Sequence, residues 1–274
     1  MNALQRFLLP GLLLAVAAMT YPAACAAQAA GFDHEYGAFA RLLARYVHDG
    51  RVDYAGLKQE RAALGQYTRA IGAVDAQALA RFTRDEQLAY WLNAYNAFVL
   101  ATIVDHYPIE RGSLVGLAFP ANSIWQISGA FKAERFQAGG RRVSLDGIEH
   151  EIIRPGFREP RIHMALVCAA ISCPPLRNEP YRAAVLDAQL DSQARGFVDD
   201  ARNGVRIAEA REEVRISPIF KWFAEDFAAP GADRPESGVL EFVASHSADP
   251  ARAALLRSGR LNIRYLDYDW TLNE

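Results

Sequence analysis

From residue 33 onward the apolar positions first recur at helical spacing and only later alternate. Residues 33–48 and 57–81 carry the helical period, with Phe39, Leu42, Leu43 and Tyr46 marking one face. Between them Asp49-Gly50-Arg51-Val52-Asp53-Tyr54 predicts a turn into a short extended piece. A longer helix is predicted from about Arg84 to Asp105. Its apolar residues, among them Leu88, Trp91, Leu92, Tyr95, Phe98, Leu100 and Ile103, cover most of the circumference, so it is expected to be central and buried. Gly139-Gly140, set between Phe131–Ala138 and Arg141–Val143, predicts a hairpin. Val205-Arg206-Ile207 and Val214-Arg215-Ile216 alternate with period two and predict another. Helices are expected at about 183–200, 218–227 and 237–246, with Ser217-Pro218 as the N-cap and first residue of the second. Ala228 to Glu236 reads as a surface loop, and Leu261–Leu266 is strand-like. Helices first and hairpins later indicate α+β: a single domain with a central buried helix, N-terminal helices and a small antiparallel sheet.

Chemistry-bearing residues gather between 144 and 177. Ser144 is the expected N-cap of a short helix over 145–153, on which Leu145, Ile148 and Ile152 share a face with Glu149. A carboxylate on an apolar stripe must find a partner or carry a desolvation cost. Arg161 to Cys168 is short, apolar and bounded by Pro160, and reads as a buried strand with His163 near its start. A loop then presents Cys173 between Ser172 and two prolines. Acid, imidazole and thiol are the parts of a nucleophilic triad. A thiol of ordinary pKa, about 8.5, needs activation. A helical turn begun by Pro174 would put Cys173 at its positive end. His163 is the better base than His150, which lies off the apolar face. Glu149 is the better orienting acid than Asp146, which a first helical turn explains.

Asn93 and Asn96 lie three apart on the long helix. Buried amides need partners. They either satisfy loop backbone or, on the functional reading, one faces the cleft and supports an oxyanion beside the Cys173 backbone N–H. His106 is expected to cap a helix C-terminus, and His34, His48 and His246 to be solvated or in loops. Trp125 and Trp222 are core residues by default and cleft-lining ones on the functional reading. His150, His163, Glu149 and Cys173 are all zinc-ligand types, but none shows the spacing of a metal motif, so neither metal nor cofactor is expected.

Composition narrows the field. Hydrophobic residues at 51% and charged residues at 23% are those of an ordinary globular chain. A net charge of -2 argues against a nucleic-acid partner. No nucleotide loop, dinucleotide fingerprint or Gly-x-Ser-x-Gly is present. The start is distinctive: Arg6, then the apolar run Leu8–Met19, then alanine-rich sequence, the parts of a secretory signal peptide over 1–29 ahead of a domain over 30–274. The run falls short of the roughly 20 residues of a membrane span. Cleavage fits after Ala26 or Ala29, and Cys25 offers lipidation, and with it a membrane attachment, as an alternative to a soluble periplasmic or secreted form. In an oxidising compartment Cys168 and Cys173 could pair. The reading preferred here is a buried, inert Cys168 beside a free Cys173.

The chain resembles the DUF547 family of uncharacterised proteins. The resemblance rests on Trp91-Leu92-Asn93-Ala94-Tyr95-Asn96-Ala97, Ser144-Leu145-Asp146-Gly147-Ile148-Glu149-His150, Pro160-Arg161-Ile162-His163, Ser172-Cys173-Pro174-Pro175 and Trp222-Phe223-Ala224-Glu225-Asp226-Phe227, spanning about 85–227. The family name implies no activity. A weaker resemblance, to papain- and transglutaminase-like cysteine enzymes, rests on the Cys/His/acid set alone. Two functions are therefore expected. One is an exported cysteine hydrolase or acyltransferase acting on an amide or peptide bond through Cys173, His163 and Glu149. The other is a noncatalytic envelope module binding a peptide or glycan in the same groove.

Overall fold

The longest helix shows how strongly local sequence acts. The computed structural model describes residues 31–112, 115–228 and 235–274, so the expected leader, Cys25 and most of the 228–236 loop lie outside it. α5 (Arg84–His106) starts at a capping box, in which the Thr83 hydroxyl accepts from Glu86 N and the Glu86 carboxylate accepts from Thr83 N. Every residue from Leu88 to Val104 is buried, which leaves the helix no polar face. His106 Nδ1 lies 2.8 Å from the Thr102 carbonyl at the helix end. α2 (Tyr54–Gln59) and α3 (Arg61–Gly72) pack on α5, α1 (Gly37–Tyr46) packs on α2 and α3, and α4 (Ala76–Ala80) lies between α3 and α5 in the chain. The Tyr90 hydroxyl donates to the Ile71 carbonyl and accepts from Gly139 N, tying α5 to α3 and to the hairpin beyond.

The turns follow their chemistry. β1 (Val47–His48) and β2 (Arg51–Val52) are joined through Asp49 and Gly50, both at positive φ. β3 (Phe136–Ala138) and β4 (Arg141–Val143) are joined by Gly139 and Gly140 at φ 57° and 78°, where a side chain would be strained.

After the short α6 (Arg154–Phe157), the C-terminal part holds a second apolar cluster. α7 (Leu186–Asp199), α8 (Ile219–Trp222), α9 (Ala224–Phe227), α10 (Pro235–His246) and α11 (Pro250–Arg257) cover a three-stranded sheet. β5 (Val205–Ala208) pairs antiparallel with β6 (Glu213–Ile216), as the alternation predicts. β7 (Asn262–Tyr265) pairs parallel with β6, so this sheet is mixed where an antiparallel one was expected. Parallel neighbours need a long crossover, and α8 to α11 supply it. α11 escapes the sequence reading, although Asp249 caps it and Pro250 opens it. The architecture from Asp33 to Glu274 is α+β in one compact unit. No described helix is long and apolar enough to cross a membrane.

Candidate functional site

Two expectations about the backbone at the site are corrected. Ser144 does cap the turn that follows, its hydroxyl accepting from Gly147 N at 2.9 Å. But Gly147–Ile153 winds as a π-helix, closed by Arg154 N on the Glu149 carbonyl. The wider turn brings Ile153, not Ile152, under Ile148, and Ile153 is the buried one. The expected strand over 161–168 is instead a 3-10 helix, Pro160–Met164, followed by turns. Pro160 sits at its first turn and the Glu159 carboxylate accepts from Arg161 N. Short apolar runs carry no period that separates a buried strand from a buried turn. No helix follows Pro174, so no helix dipole acts on Cys173.

His163 projects from the 3-10 turn with its side chain wholly buried. Its Nε2 lies 2.7 Å from Asp226 Oδ2. Asp226 is in turn gripped by Arg154, through Nε at 2.5 Å and Nη2 at 3.0 Å. The ring stacks on Phe223 at 4.0 Å. Burial pushes the His163 pKa down, against the raising effect of Asp226, and the imidazole is neutral near pH 7. Burial works against an ionised Asp226 too, but the hydrogen bonds from His163 and Arg154 hold its carboxyl well below the usual range. A neutral ring that donates Nε2–H to a carboxylate leaves Nδ1 as a bare lone pair. Nδ1 accepts no hydrogen bond from the described residues, and Glu149 Oε1 is 3.8 Å away.

The carboxylate hydrogen-bonded to His163 is therefore that of Asp226, whereas Glu149, expected to make that contact, stays 3.8 Å from the ring. Glu149 stands across the ring, and like Tyr95 it lines the same cleft as His163. Burial pushes its pKa up to about 7; Arg154 lowers it and Asp146 raises it. Asp226 lies within the Trp222–Phe227 block that the sequence singles out, and its acidity in an aromatic run was the available signal. Its pairing with a residue 63 positions earlier was not.

The cysteines correct a second expectation. Cys168 and Cys173 form a disulfide, with Cα atoms 6.2 Å apart, so Cys173 is not a free thiol in this state. The turn through the four intervening residues, 169–172, brings the two sulfurs together where a strand would have carried Cys168 away. Cys168 N donates to Cys173 Sγ at 2.8 Å, and the Tyr268 hydroxyl lies 3.2 Å from Cys168 Sγ. Cys173 N donates to the Ala170 carbonyl and is not available as an oxyanion donor.

Asn93 and Asn96 are both bonded to loop backbone, and neither is among the residues lining the cleft around His163. Asn93 exchanges two hydrogen bonds with the Tyr181 backbone, at 2.7 and 2.9 Å. Asn96 donates to the Ala165 carbonyl and accepts from Val167 N, fixing the chain just after His163.

Cys173, His163 and Glu149 nevertheless line one cleft of about 170 Å³. Its walls include Trp125, Phe131, Trp222, Phe223, Tyr268 and Trp270, with Tyr95 and Asp146 inside. Trp270 joins the rings, 4.5 Å from Tyr268, 5.5 Å from Trp125 and 5.9 Å from Trp222. Trp222 is 48% exposed, so the wall opens to solvent there. His150 stands outside the lining, with Nδ1 on Arg154. Among the described residues, no group of three or more His, Cys, Asp or Glu side chains is arranged to hold a metal ion.

Residues 79–198 match the model of a family described as a protein of unknown function, DUF547. No curated protein and no solved structure matches the chain.

Proposed function

From the premise that the chain belongs to the DUF547 family across residues 79–198, we propose a cysteine-dependent hydrolase or acyltransferase acting on an amide or peptide bond. Cys173 in its reduced form is the nucleophile and His163 the base. The observation that carries this reading is the polarity of His163: Nε2 is clamped by Asp226, and the open Nδ1 belongs to a ring lining the same cleft as Cys173. A base oriented on one nitrogen and free on the other is what thiol activation requires.

A dithiol reductant first takes the Cys168–Cys173 bond to two thiols and is itself oxidised to a disulfide. Cys173 then gives its proton to His163 Nδ1, and the thiolate forms a bond to the carbonyl carbon. The Cys168 N–H that meets Cys173 Sγ stabilises that thiolate. The buried Tyr268 hydroxyl, its pKa raised by burial, is a donor for the developing oxyanion. The C–N bond breaks as His163 returns the proton to the leaving amine, and water or an acceptor amine releases the acyl group. Glu149, poised near neutrality, faces the same imidazole and can exchange a proton in the cleft.

The disulfide favours a second reading, a groove that binds a peptide or glycan without chemistry. One experiment separates the two. After dithiol treatment, an alkylating acyl-mimic probe should label Cys173 ahead of Cys168, and His163→Ala should slow that labelling about 100-fold, the lower range for general base catalysis. Equal labelling of both thiols, indifferent to His163, would leave the binding module. The exported location is part of the proposal: a disulfide suits an oxidising compartment, and intact mass of the recovered protein tests removal of residues 1–29 and lipid on Cys25.

A further inference from the structure

The walls of the cleft differ from its charge in a way that bears on what enters. Its lining holds carboxyl groups at Asp146 and Glu149 but no lysine or arginine. The nearest guanidinium, Arg154, is spent: both its bonds to Asp226 are made, and a third nitrogen meets His150. His163 adds no positive charge, because burial keeps it neutral. Most of the remaining lining is aromatic, with Leu166, Ile219 and the disulfide among it, and its rings run in contact from Trp125 through Trp270 and Tyr268 to the half-open Trp222. An anion entering here would meet carboxylates and the negative faces of the rings. A neutral apolar group would leave Asp146 and Glu149 unused.

We propose that the cleft receives a cationic group, an alkylammonium, held against the Trp222–Trp270–Tyr268 wall and neutralised by Asp146 and Glu149. Ring quadrupoles attract ammonium within about 6 Å, most strongly where water is displaced. The carboxyls supply the counter-charge and accept the N–H bonds. On the reading above, the substrate then carries an amine close to the bond attacked. The inference depends on that reading only through the shared cleft, since binding a cation needs no free thiol.

Glu149 makes the proposal sensitive to pH. The groups facing it are Tyr95 from α5, Asp146 and Arg154 from its own turn and the next, His163, Asp226 and Tyr268. With its pKa near 7, it is protonated in mildly acidic solution and ionised in mildly basic solution. A bound ammonium stabilises the ionised form, so affinity should rise with pH.

The test is calorimetric titration of the oxidised wild-type protein with butylammonium, 1-butanol and butyrate, three probes of one shape and different charge. At about pH 8, butylammonium should bind about tenfold more tightly than butanol, and butyrate more weakly than either. At about pH 5.5 the butylammonium affinity should fall at least about threefold, and Glu149→Gln should remove most of that dependence. Trp222→Ala, at an exposed position that leaves folding intact, should weaken the cation more than the alcohol. Butanol binding as tightly as butylammonium, or no heat from butylammonium at either pH, overturns the cation site. Because the thiols are tied up throughout, these outcomes say nothing against thiol chemistry, and a failed labelling experiment says nothing against them.

Discussion

The α5 region and the His163 cleft both bury polar side chains, and they treat them in opposite ways. On α5 the amides of Asn93 and Asn96 each spend donor and acceptor together on backbone groups. In the cleft His163 is paired on one nitrogen and open on the other, and Glu149 sits where burial pushes its pKa to about 7. A polar group buried for stability is satisfied on all sides. A group left with an open valence beside a cavity is costly to keep, and such groups gather where reactions or ligands use them.

The sharpest way to break this comparison is to remove a latch. Asn96→Ala strands the Ala165 carbonyl and Val167 N–H in a buried site, and should cost about 3 kcal/mol. Urea unfolding measures it; a loss below about 1 kcal/mol would mean that the α5 amide is no more structural than the cleft groups. The next effect belongs to Glu149. Its folded pKa is raised from 4.5 to about 7, so its contribution is fully present below the unfolded value and is lost as pH rises toward 7. Glu149→Gln should therefore gain on the wild type by roughly 2 kcal/mol between mildly acidic and mildly basic solution. Thermal melts at both pH values read the gain, and parallel curves for the two proteins would place Glu149 with the satisfied groups.

A smaller loss, about 1–2 kcal/mol, is expected from Asp226→Asn, since Asp226 is partly open to solvent. Asp226 has a depressed folded pKa, so its support is present above the ordinary carboxylate range and disappears only as pH falls through the lower folded value. His163 acts in the same pH direction by another route: below the ordinary imidazole range the unfolded ring takes a proton that the buried ring resists. Nitrogen NMR of His163 should show the proton on Nε2 in the wild type, and a mixture of tautomers in Asp226→Asn would sharpen the comparison by showing that Asp226 fixes the tautomer of the ring. Smallest of all, Trp222→Ala should change stability by less than about 1 kcal/mol, because nearly half of the side chain is already in water. A large loss there would make the aromatic wall part of the core.

The amino-acid sequence by itself determined the elements whose cause lies within a few residues. The capping box and unbroken apolar surface specify α5, the paired glycines specify the β3–β4 turn, and alternation specifies β5 and β6, because hydrogen bonding and side-chain period act over one or two turns of chain. It also collected the right neighbourhood, since Glu149, His163 and Cys173 meet in one cleft. Only the tertiary structure decided how they are connected. The π-helical winding exchanges Ile152 for Ile153, the parallel β7 waits on a crossover of four helices, Asp226 reaches His163 from 63 residues away, and Cys173 bonds to Cys168 rather than standing free. Each of these is a pairing chosen by packing among several chemically acceptable partners, and distance along the chain carries no trace of which one burial will bring within reach.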